Sequence, residues 1–166
     1  MTVDRPTNDF QSGMRKLAGG VCVISAVSAA GERCGLTATA VCSLTLDPPT
    51  LVACVNKRTR LGSAVREAPA FAVNVLSSSQ LPVARAFAGM VPGVRGTARF
   101  AHGDWEEGAL GAPVLADSPA SFVCTLDDAV DRSTHLLLLG RAVDIRTARQ
   151  ETQPLLYVDR QFHSPH

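Results

Sequence analysis

Residues 34–49 read Cys34-Gly-Leu-Thr-Ala-Thr-Ala-Val-Cys-Ser-Leu-Thr-Leu-Asp-Pro-Pro49, and the interpretation of the chain starts from this stretch. It begins as a strand, but residues 37–42 are six small residues in a row, of which only Val41 is larger than threonine. Small residues let a flat or phosphorylated ligand approach the backbone, while hydroxyls and free N–H groups supply hydrogen bonds. The pattern therefore indicates either the wall of a binding site or a thin strand packed closely against another.

Strand-forming segments flank this stretch on both sides. Residues 21–27 are rich in β-branched and apolar side chains, and residues 30–32 form the turn that leads into the quoted stretch. Pro48 and Pro49 interrupt the chain because neither can donate a ladder hydrogen bond. Further strands are predicted at residues 51–56, 71–76, 120–126 and 135–145. We therefore predict a mainly β fold, an antiparallel barrel of Greek-key type with six to seven strands and a few short helices.

The predicted helices are too short and too few for a doubly wound parallel sheet, and no Gly-x-Gly-x-x-Gly pattern is present. No repeat or linker divides residues 1–166, so a single domain is expected. The helices are expected after the Asn8-Asp9 cap and at residues 61–67 and 80–88, with an irregular loop at residues 90–97 and an acidic turn at residues 127–131.

Composition excludes several classes of function. The net charge of +1 provides no electrostatic footprint for nucleic acid or anionic lipid. No apolar run is long enough to span a bilayer, and the N-terminus lacks the apolar region of a signal peptide, so a soluble cytoplasmic protein is expected. The histidines show no metal-ligand spacing. Five cysteines form no C-x-x-C pair, which favours buried reduced thiols over a metal or redox site; they are Cys22, Cys34, Cys42, Cys54 and Cys124.

Several short strings, taken together in their order and spacing, resemble one family. They are the segments at residues 10–24, 35–43, 47–49, 71–76, 87–89, 111–115 and 139–141. In these the chain is similar to the flavin reductase-like proteins, the small NAD(P)H:flavin oxidoreductases that serve two-component monooxygenases. The resemblance covers about residues 10 to 163. It implies a split β-barrel that binds FMN or FAD, and a homodimer with flavin near the subunit interface.

Carried over position by position, the resemblance implies a flavin site in two pieces. The first piece lies in the opening stretch, and the second is the turn that follows the strand at residues 51–56. Arginines and hydroxyls in that turn suit a phosphate, although a solvated basic loop is the alternative. The residues implied are Thr37, Ala38, Thr39, Ala40, Val41, Ser43 and Leu44 in the first piece, and Arg58, Thr59 and Arg60 in the second.

The resemblance also implies that His135 faces the nicotinamide side of the flavin. In many members of the family this histidine follows Gly-Asp and precedes Thr, whereas here the surroundings read Ser133-Thr-His-Leu136. A structural histidine beside an apolar run is the alternative. Tyr157, Arg160, Phe162 and His163 match a family tail that packs either near the active site or at the dimer surface.

The expected activity is hydride transfer from NADH or NADPH to FMN or FAD, followed by delivery of reduced flavin to a partner monooxygenase. The protein then has to position two rings, so no general base is required. Backbone N–H groups of residues 39–43 are candidate donors to the negative charge on the reduced flavin. Two other classes remain open, a non-catalytic flavin carrier on the same fold and a structural barrel that binds no flavin. Arg85, Arg95 and Arg99 are candidates for a nicotinamide 2′-phosphate, with solvated side chains as the alternative.

Overall fold

The computed structural model describes residues 5–165, and antiparallel strands form the larger part of its regular structure. The mainly β prediction is therefore confirmed. The strands are β1 (Gly19–Gly20), β2 (Cys22–Val27), β3 (Arg33–Ala38), β4 (Val41–Leu46), β5 (Pro49–Asn56), β6 (Phe71–Val75), β7 (Trp105–Glu107), β8 (Pro113–Leu115), β9 (Ala120–Arg132), β10 (His135–Thr147), β11 (Leu156–Val158) and β12 (Gln161–His163).

Seven strands form the main sheet, in the order β3-β2-β6-β9-β10-β5-β4. A three-stranded sheet, β1-β11-β12, and the β7-β8 hairpin complete the β structure of residues 5–165. Within the described part of the chain, one α-helix precedes the strands, and two further α-helices and three 3₁₀ turns lie between them. The helices are α1 (Arg5–Met14), α2 (Arg60–Ala64) and α3 (Leu81–Phe87), and the 3₁₀ turns are Ser78–Gln80, Gly96–Ala101 and Ala109–Gly111.

The opening stretch forms two strands rather than one. β3 pairs with β2 at one end of the main sheet, and β4 pairs with β5 at the other end. Thr39 and Ala40 therefore join the two outer strands of the sheet, and the Ala40 carbonyl accepts a hydrogen bond of 2.9 Å from the Cys54 amide. No pairing between β3 and β4 occurs within residues 5–165, so the sheet is strongly curled but not closed.

Two local predictions were wrong. The expected acidic turn at residues 127–131 belongs to β9, where these residues pair with the start of β10, and the chain reverses at Ser133 and Thr134 instead. A register shift between Leu139 and Gly140 lets the strand continue through the acidic segment. The first helix was expected after Asn8-Asp9, but α1 already includes Arg5 and leaves Phe10 and Met14 exposed.

The core follows the alternation of the strands. Leu51, Ala53 and Val55 of β5 point inward, while the intervening residues are only half-buried. Leu136 and Leu138 of β10 join them in the larger apolar cluster. A second cluster lies under α3 and includes Phe87, whose ring makes an edge contact with Phe100 and a tilted contact with Trp105.

A buried polar network ties β8 to the main sheet. The Asn74 side chain donates to the Val23 carbonyl and Ser25 Oγ at 3.1 Å each, and its Oδ1 accepts from the Leu115 amide and Ser121 Oγ at 3.0 Å each. The Ser25 hydroxyl donates onward to the Pro113 carbonyl. Every polar atom of the Asn74 side chain therefore has a hydrogen-bond partner, and these bonds offset the loss of hydration on burial.

Candidate functional site

Two cavities lie along β3, beneath the chain that runs out of α3. Cavity A, of about 510 Å³, lies between Cys34 and Gly35, the turn at Thr59 and Arg60, the loop at residues 89–96, and Arg99. Cavity B, of about 200 Å³, adjoins it along the chain and is lined by residues 37–39, Ala88, Met90, Tyr157 and Phe162. The volume of cavity A lies within the range usual for small-molecule sites.

The turn after β5 is built around Asn56 and a closely packed glycine. The Asn56 carbonyl accepts from the Thr59 hydroxyl at 2.7 Å, and Thr59 Oγ1 in turn caps α2 by accepting from the Gly62 amide at 3.0 Å. A Cβ on Gly62 would overlap the Asn56 carbonyl. The hydroxyl of Thr59 is thus used within the turn, while Arg58 is exposed and its side chain does not line cavity A.

Cavity A is lined by three arginines and by no acidic residue. Arg99 Nη1 donates to the Gly35 and Phe87 carbonyls at 3.2 and 3.1 Å, which holds the guanidinium at the cavity wall without a carboxylate partner. Its Nε is buried and has no hydrogen-bond partner among the described residues. Arg60 and Arg95 supply the other two charges. This arrangement suits an anion.

The structure separates the roles of the two threonines in the opening stretch. Thr37 Oγ1 donates to the Ala84 carbonyl at 2.7 Å, so its hydroxyl attaches β3 to α3. Thr39 is exposed and lines cavity B. The smallness of Gly35 also has a packing reason, because a Cβ there would lie 2.8 Å from the Phe87 ring. Close packing therefore explains Gly35 and Thr37, while Thr39 lines a cavity and keeps the prediction of a binding wall.

The remaining residues of the first piece lie beyond cavity B. Ala38 lines that cavity, and Ala40 lies at the exposed corner between the two outer strands. The Val41 amide donates to the Thr39 carbonyl at 3.0 Å, so this N–H is already engaged. Ser43 and Leu44 are exposed on β4 and line neither cavity A nor cavity B.

His135 lies beside the turn that carries Arg58, Thr59 and Arg60. It begins β10 and pairs in register with Asn56, the residue around which that turn is built. The Lys57 amide donates to the Thr134 carbonyl at 3.0 Å, and Thr134 Oγ1 lies 2.8 Å from His135 Nδ1. The imidazole is exposed and does not line cavity A or B.

The tail adds aromatic residues to the site. Tyr157 and Phe162 form an edge-to-face pair with ring centroids 5.0 Å apart and line cavity B opposite Thr37 and Thr39. Sequence reasoning left the place of this tail undecided between the active site and a dimer surface. The sequence predicts a role for Arg99 only with a 2′-phosphate, whereas in the structure Arg99 lines cavity A. The glycine- and proline-rich loop before Arg99 is the sequence feature that could have indicated this cavity.

The five cysteines are all free. Burial raises the pKa of the Cys22 thiol to about 11 and that of Cys124 to about 12, so both are unreactive small hydrophobes as expected. Cys42 contradicts the expectation of burial, because it lies exposed on the outer strand β4. Among residues 5–165, no group of three or more His, Cys, Asp or Glu side chains could hold a metal ion.

Comparison with known proteins agrees with this fold. The family model for the flavin reductase like domain matches residues 14–166. Over 161 residues the chain is 38% identical to the FMN reductase (NADH) RutF of Bradyrhizobium diazoefficiens, covering 97% of this chain and 87% of that protein. It is 41% identical over 156 residues to the 4-hydroxyphenylacetate 3-monooxygenase reductase component of Pseudomonas aeruginosa, covering 93% and 89%.

A solved structure shows the same likeness. The NADH:FAD oxidoreductase SgcE6 of Streptomyces globisporus superposes with a TM-score of 0.83 at 26% identity, covering 98% of this chain and 95% of that one. The fold is thus that of a class of small β proteins whose named members are flavin reductases. The chain is a member of the flavin reductase-like family. No helix within residues 5–165 is long and apolar enough to cross a membrane.

Proposed function

We propose that this protein is an NAD(P)H-dependent flavin reductase, a single-domain oxidoreductase that supplies reduced FMN or FAD to a partner monooxygenase. The names of its relatives support this activity, since they include an FMN reductase using NADH, an NADH:FAD oxidoreductase and a monooxygenase reductase component. The observation that carries the proposal is cavity A, where the small residues at the start of β3 meet Arg60 across one space.

The residues around this space fit a phosphorylated flavin. Arg60, Arg95 and Arg99 offer three guanidinium groups to a phosphate, and no acidic residue lines the cavity. The buried, unpartnered Nε of Arg99 is consistent with a site whose wall is prepared for an anion. The ring would extend along β3 towards cavity B, where Thr39 and Tyr157 offer a hydroxyl and an aromatic face.

When bound, a flavin would accept a hydride from the nicotinamide, and this chemistry belongs to the two nucleotides. The chain provides positioning, because β3 and the turn after β5 are held rigidly by the bonds of Thr37 and Asn56. Arg58, Ser43 and Leu44 line neither cavity, so any contact with a ligand from these residues would come from its outer parts or across a subunit boundary.

We further propose that His135 contacts the nicotinamide. Its backbone is held next to the phosphate turn through Asn56 and Lys57, and Thr134 occupies Nδ1 and leaves Nε2 available. The family resemblance implies that Thr134 stands where many members have an aspartate. A hydroxyl both donates and accepts, so it orients the imidazole without adding a negative charge.

The finer description of the fold and assembly is also a proposal. We assign the curled seven-stranded sheet to the split-barrel type, because Thr39 and Ala40 connect its two outer strands. A cytoplasmic homodimer is proposed as well. Exposed Leu44 and Leu46 on β4, together with Val143 and Ile145 on β10, supply apolar surface on strands that could meet a second copy.

The decisive experiment mixes the purified protein with flavin and NADH and follows the absorbance of the reduced nicotinamide. Flavin-dependent NADH oxidation is expected, with a reduced flavin that a separate oxygenase can use. Tight flavin binding without turnover would instead identify a carrier. Absence of both binding and turnover would leave only a structural barrel. Repeating the assay with FMN, FAD, NADH and NADPH decides between the nucleotides.

A further inference from the structure

Arg60 at the rim of cavity A already has an anionic partner from its own chain. Arg60 Nη1 lies 3.6 Å from Glu32 Oε2. Glu32 ends the turn before β3, and Arg60 begins α2, so the pair joins two elements that border the cavity. The two side chains are 63% and 67% exposed, which makes the contact a solvated and readily broken ion pair.

The position of Arg60 is restricted on its other side by the loop. Gly96 has a φ of +56°, and a Cβ at that position would lie 3.1 Å from Arg60 Nη1. The Arg60 guanidinium thus has both the Glu32 carboxylate and the Gly96 backbone close to its Nη1. Arg60 thus lines the cavity while its side chain stays 67% exposed.

The charges of Arg60 and Glu32 both affect the pKa of a residue that lines cavity A. Cys34 lines cavity A, and burial raises the pKa of its thiol, while Arg60 lowers that pKa and Glu32 raises it. Within residues 5–165, Arg95 and Arg99 form no ion pair with an acidic side chain. Arg60 is thus the arginine of cavity A that has an acidic partner, and that partner is Glu32.

We propose that Glu32 competes with the phosphate of a bound flavin for Arg60 and thereby limits the affinity of cavity A for phosphorylated flavin. A phosphate that binds Arg60 must displace Glu32 or accept its negative charge nearby, and either effect weakens binding. A flavin that is handed to another protein has to leave, so a weakened phosphate contact favours transfer. This inference rests on the proposed function of cavity A.

The test measures the affinity of the full-length protein for FMN and for riboflavin, which has the same ring but no phosphate. Glu32→Gln is expected to tighten FMN binding about two- to five-fold, the range of an exposed ion pair, and to leave riboflavin binding unchanged. Arg60→Gln is expected to weaken FMN binding, and adding Glu32→Gln to it should tighten FMN binding less than the same change does in the wild type. Glu67→Gln, an exposed acid that lines a separate cavity, is the matched control for the loss of one negative charge.

Each other outcome contradicts a definite part of the proposal. Unchanged or weaker FMN binding in Glu32→Gln, with the expected loss in Arg60→Gln, overturns the competition but leaves the phosphate site in place. Equal tightening for FMN and riboflavin, or an equal effect of Glu67→Gln, also overturns it. Unchanged FMN binding in Arg60→Gln overturns the proposed phosphate site and the competition with it.

Discussion

Thr37 and Thr39 are separated by one residue in sequence, but their side chains have different surroundings. Thr37 is hydrogen-bonded to α3, whereas Thr39 lines cavity B. A family resemblance assigns both to flavin, because it transfers positions and not hydrogen bonds. The hydrogen bond to Ala84, which is far away in sequence, distinguishes Thr37 as a residue that holds β3 in place from Thr39, which lines the cavity without that bond.

We predict that Thr37→Val mainly lowers the stability of the protein, whereas Thr39→Val mainly lowers its affinity for flavin. Thr37→Val should lower the free energy of unfolding by about 0.5–1.5 kcal/mol through the lost hydrogen bond to the Ala84 carbonyl. Thr39→Val should leave stability unchanged and weaken flavin binding about three- to ten-fold. Urea unfolding and flavin titration of both variants check this. A Thr39→Val protein with normal flavin affinity would remove cavity B from the flavin site.

For His135 we expect an effect that is selective for the nicotinamide nucleotide. His135→Ala should raise the nicotinamide KM about three- to ten-fold, the equivalent of one hydrogen bond, and the flavin KM much less. Steady-state kinetics with each substrate varied in turn make the measurement, and His102→Ala is the control. An equal rise in both constants would indicate that His135 is structural.

The turn between β5 and α2 depends on close packing that sequence patterns do not reveal. Gly62 looks like an ordinary helix residue, yet its Cα lies against the carbonyl of Asn56, to which Thr59 also binds. The same carbonyl-centred arrangement places Arg60 at the rim of cavity A. The turn therefore positions the cationic part of the site.

Gly62→Ala should accordingly damage both stability and binding. The added methyl group has no room beside the Asn56 carbonyl, so we expect a loss of about 1–3 kcal/mol in the free energy of unfolding and weaker FMN binding. Thermal or urea unfolding and FMN titration measure the two effects. Gly13→Ala in α1, where a Cβ meets nothing within 4 Å, is the matched control and should not be destabilising. A fully stable Gly62→Ala protein would contradict the packing described for this turn.

The hairpin of β9 and β10 is held to the same turn by an ion pair. Lys57 Nζ donates to Asp131 Oδ1 at 2.6 Å, and Arg66 lies 3.7 Å from Oδ2. The hydrogen bond from Lys57, supported by the charges of Lys57, Arg66 and Arg132, holds the pKa of the Asp131 carboxyl below its ordinary value of 3.8. A lowered folded-state pKa means that Asp131 contributes stability above its ordinary pKa and loses it as the pH falls through the folded value.

Asp131→Asn should therefore be less stable than the wild type at neutral pH, by a small amount because the pair is exposed. The difference in the free energy of unfolding should disappear as the pH falls below 3.8 through the lowered pKa of Asp131. Urea unfolding across this pH range makes the comparison. The exposed Asp117→Asn variant should show no such pH-dependent difference. A constant difference at all pH values would show that the charge of Asp131 is irrelevant.

Within residues 5–165, exposed large apolar side chains include those on α1, on the outer strand β4 and on the second half of β10. Leu46 is 88% exposed and Leu44 56%. β4 pairs only with β5 among the described strands, so one of its edges is available to another chain.

We expect a homodimer of about twice 17.5 kDa in light scattering. The double variant Leu44→Lys and Leu46→Lys should shift it towards the monomer, because buried lysines oppose association. Arg149→Lys, which keeps the charge of an exposed residue, is a neutral control. A monomeric wild-type protein would contradict the homodimer. If the lysine variant remains a dimer, the interface does not involve β4, and the exposed face of α1 becomes the candidate.

Sequence reasoning was most successful where structure is decided locally. Short runs of β-branched and apolar residues in β2, β5 and β6 predicted strands that the structure confirms, since the preference of these side chains for extended backbone is local. It failed at residues 127–131, because three closely spaced aspartates favour a turn locally while pairing with β10 extends the strand. Tertiary pairing outweighed local preference there.

The sequence by itself determined that the protein is mainly β and belongs to the flavin reductase-like family, and it singled out Thr39 and the arginine turn. Only the tertiary structure decided that Arg60, Arg99 and Gly35 share one cavity, that Tyr157 closes the next one, and that Glu32 pairs with Arg60. The physical reason is the distance in sequence between the residues that form each feature. Strand periodicity acts between neighbouring residues, whereas a cavity is formed by segments whose approach depends on the path of the whole curled sheet.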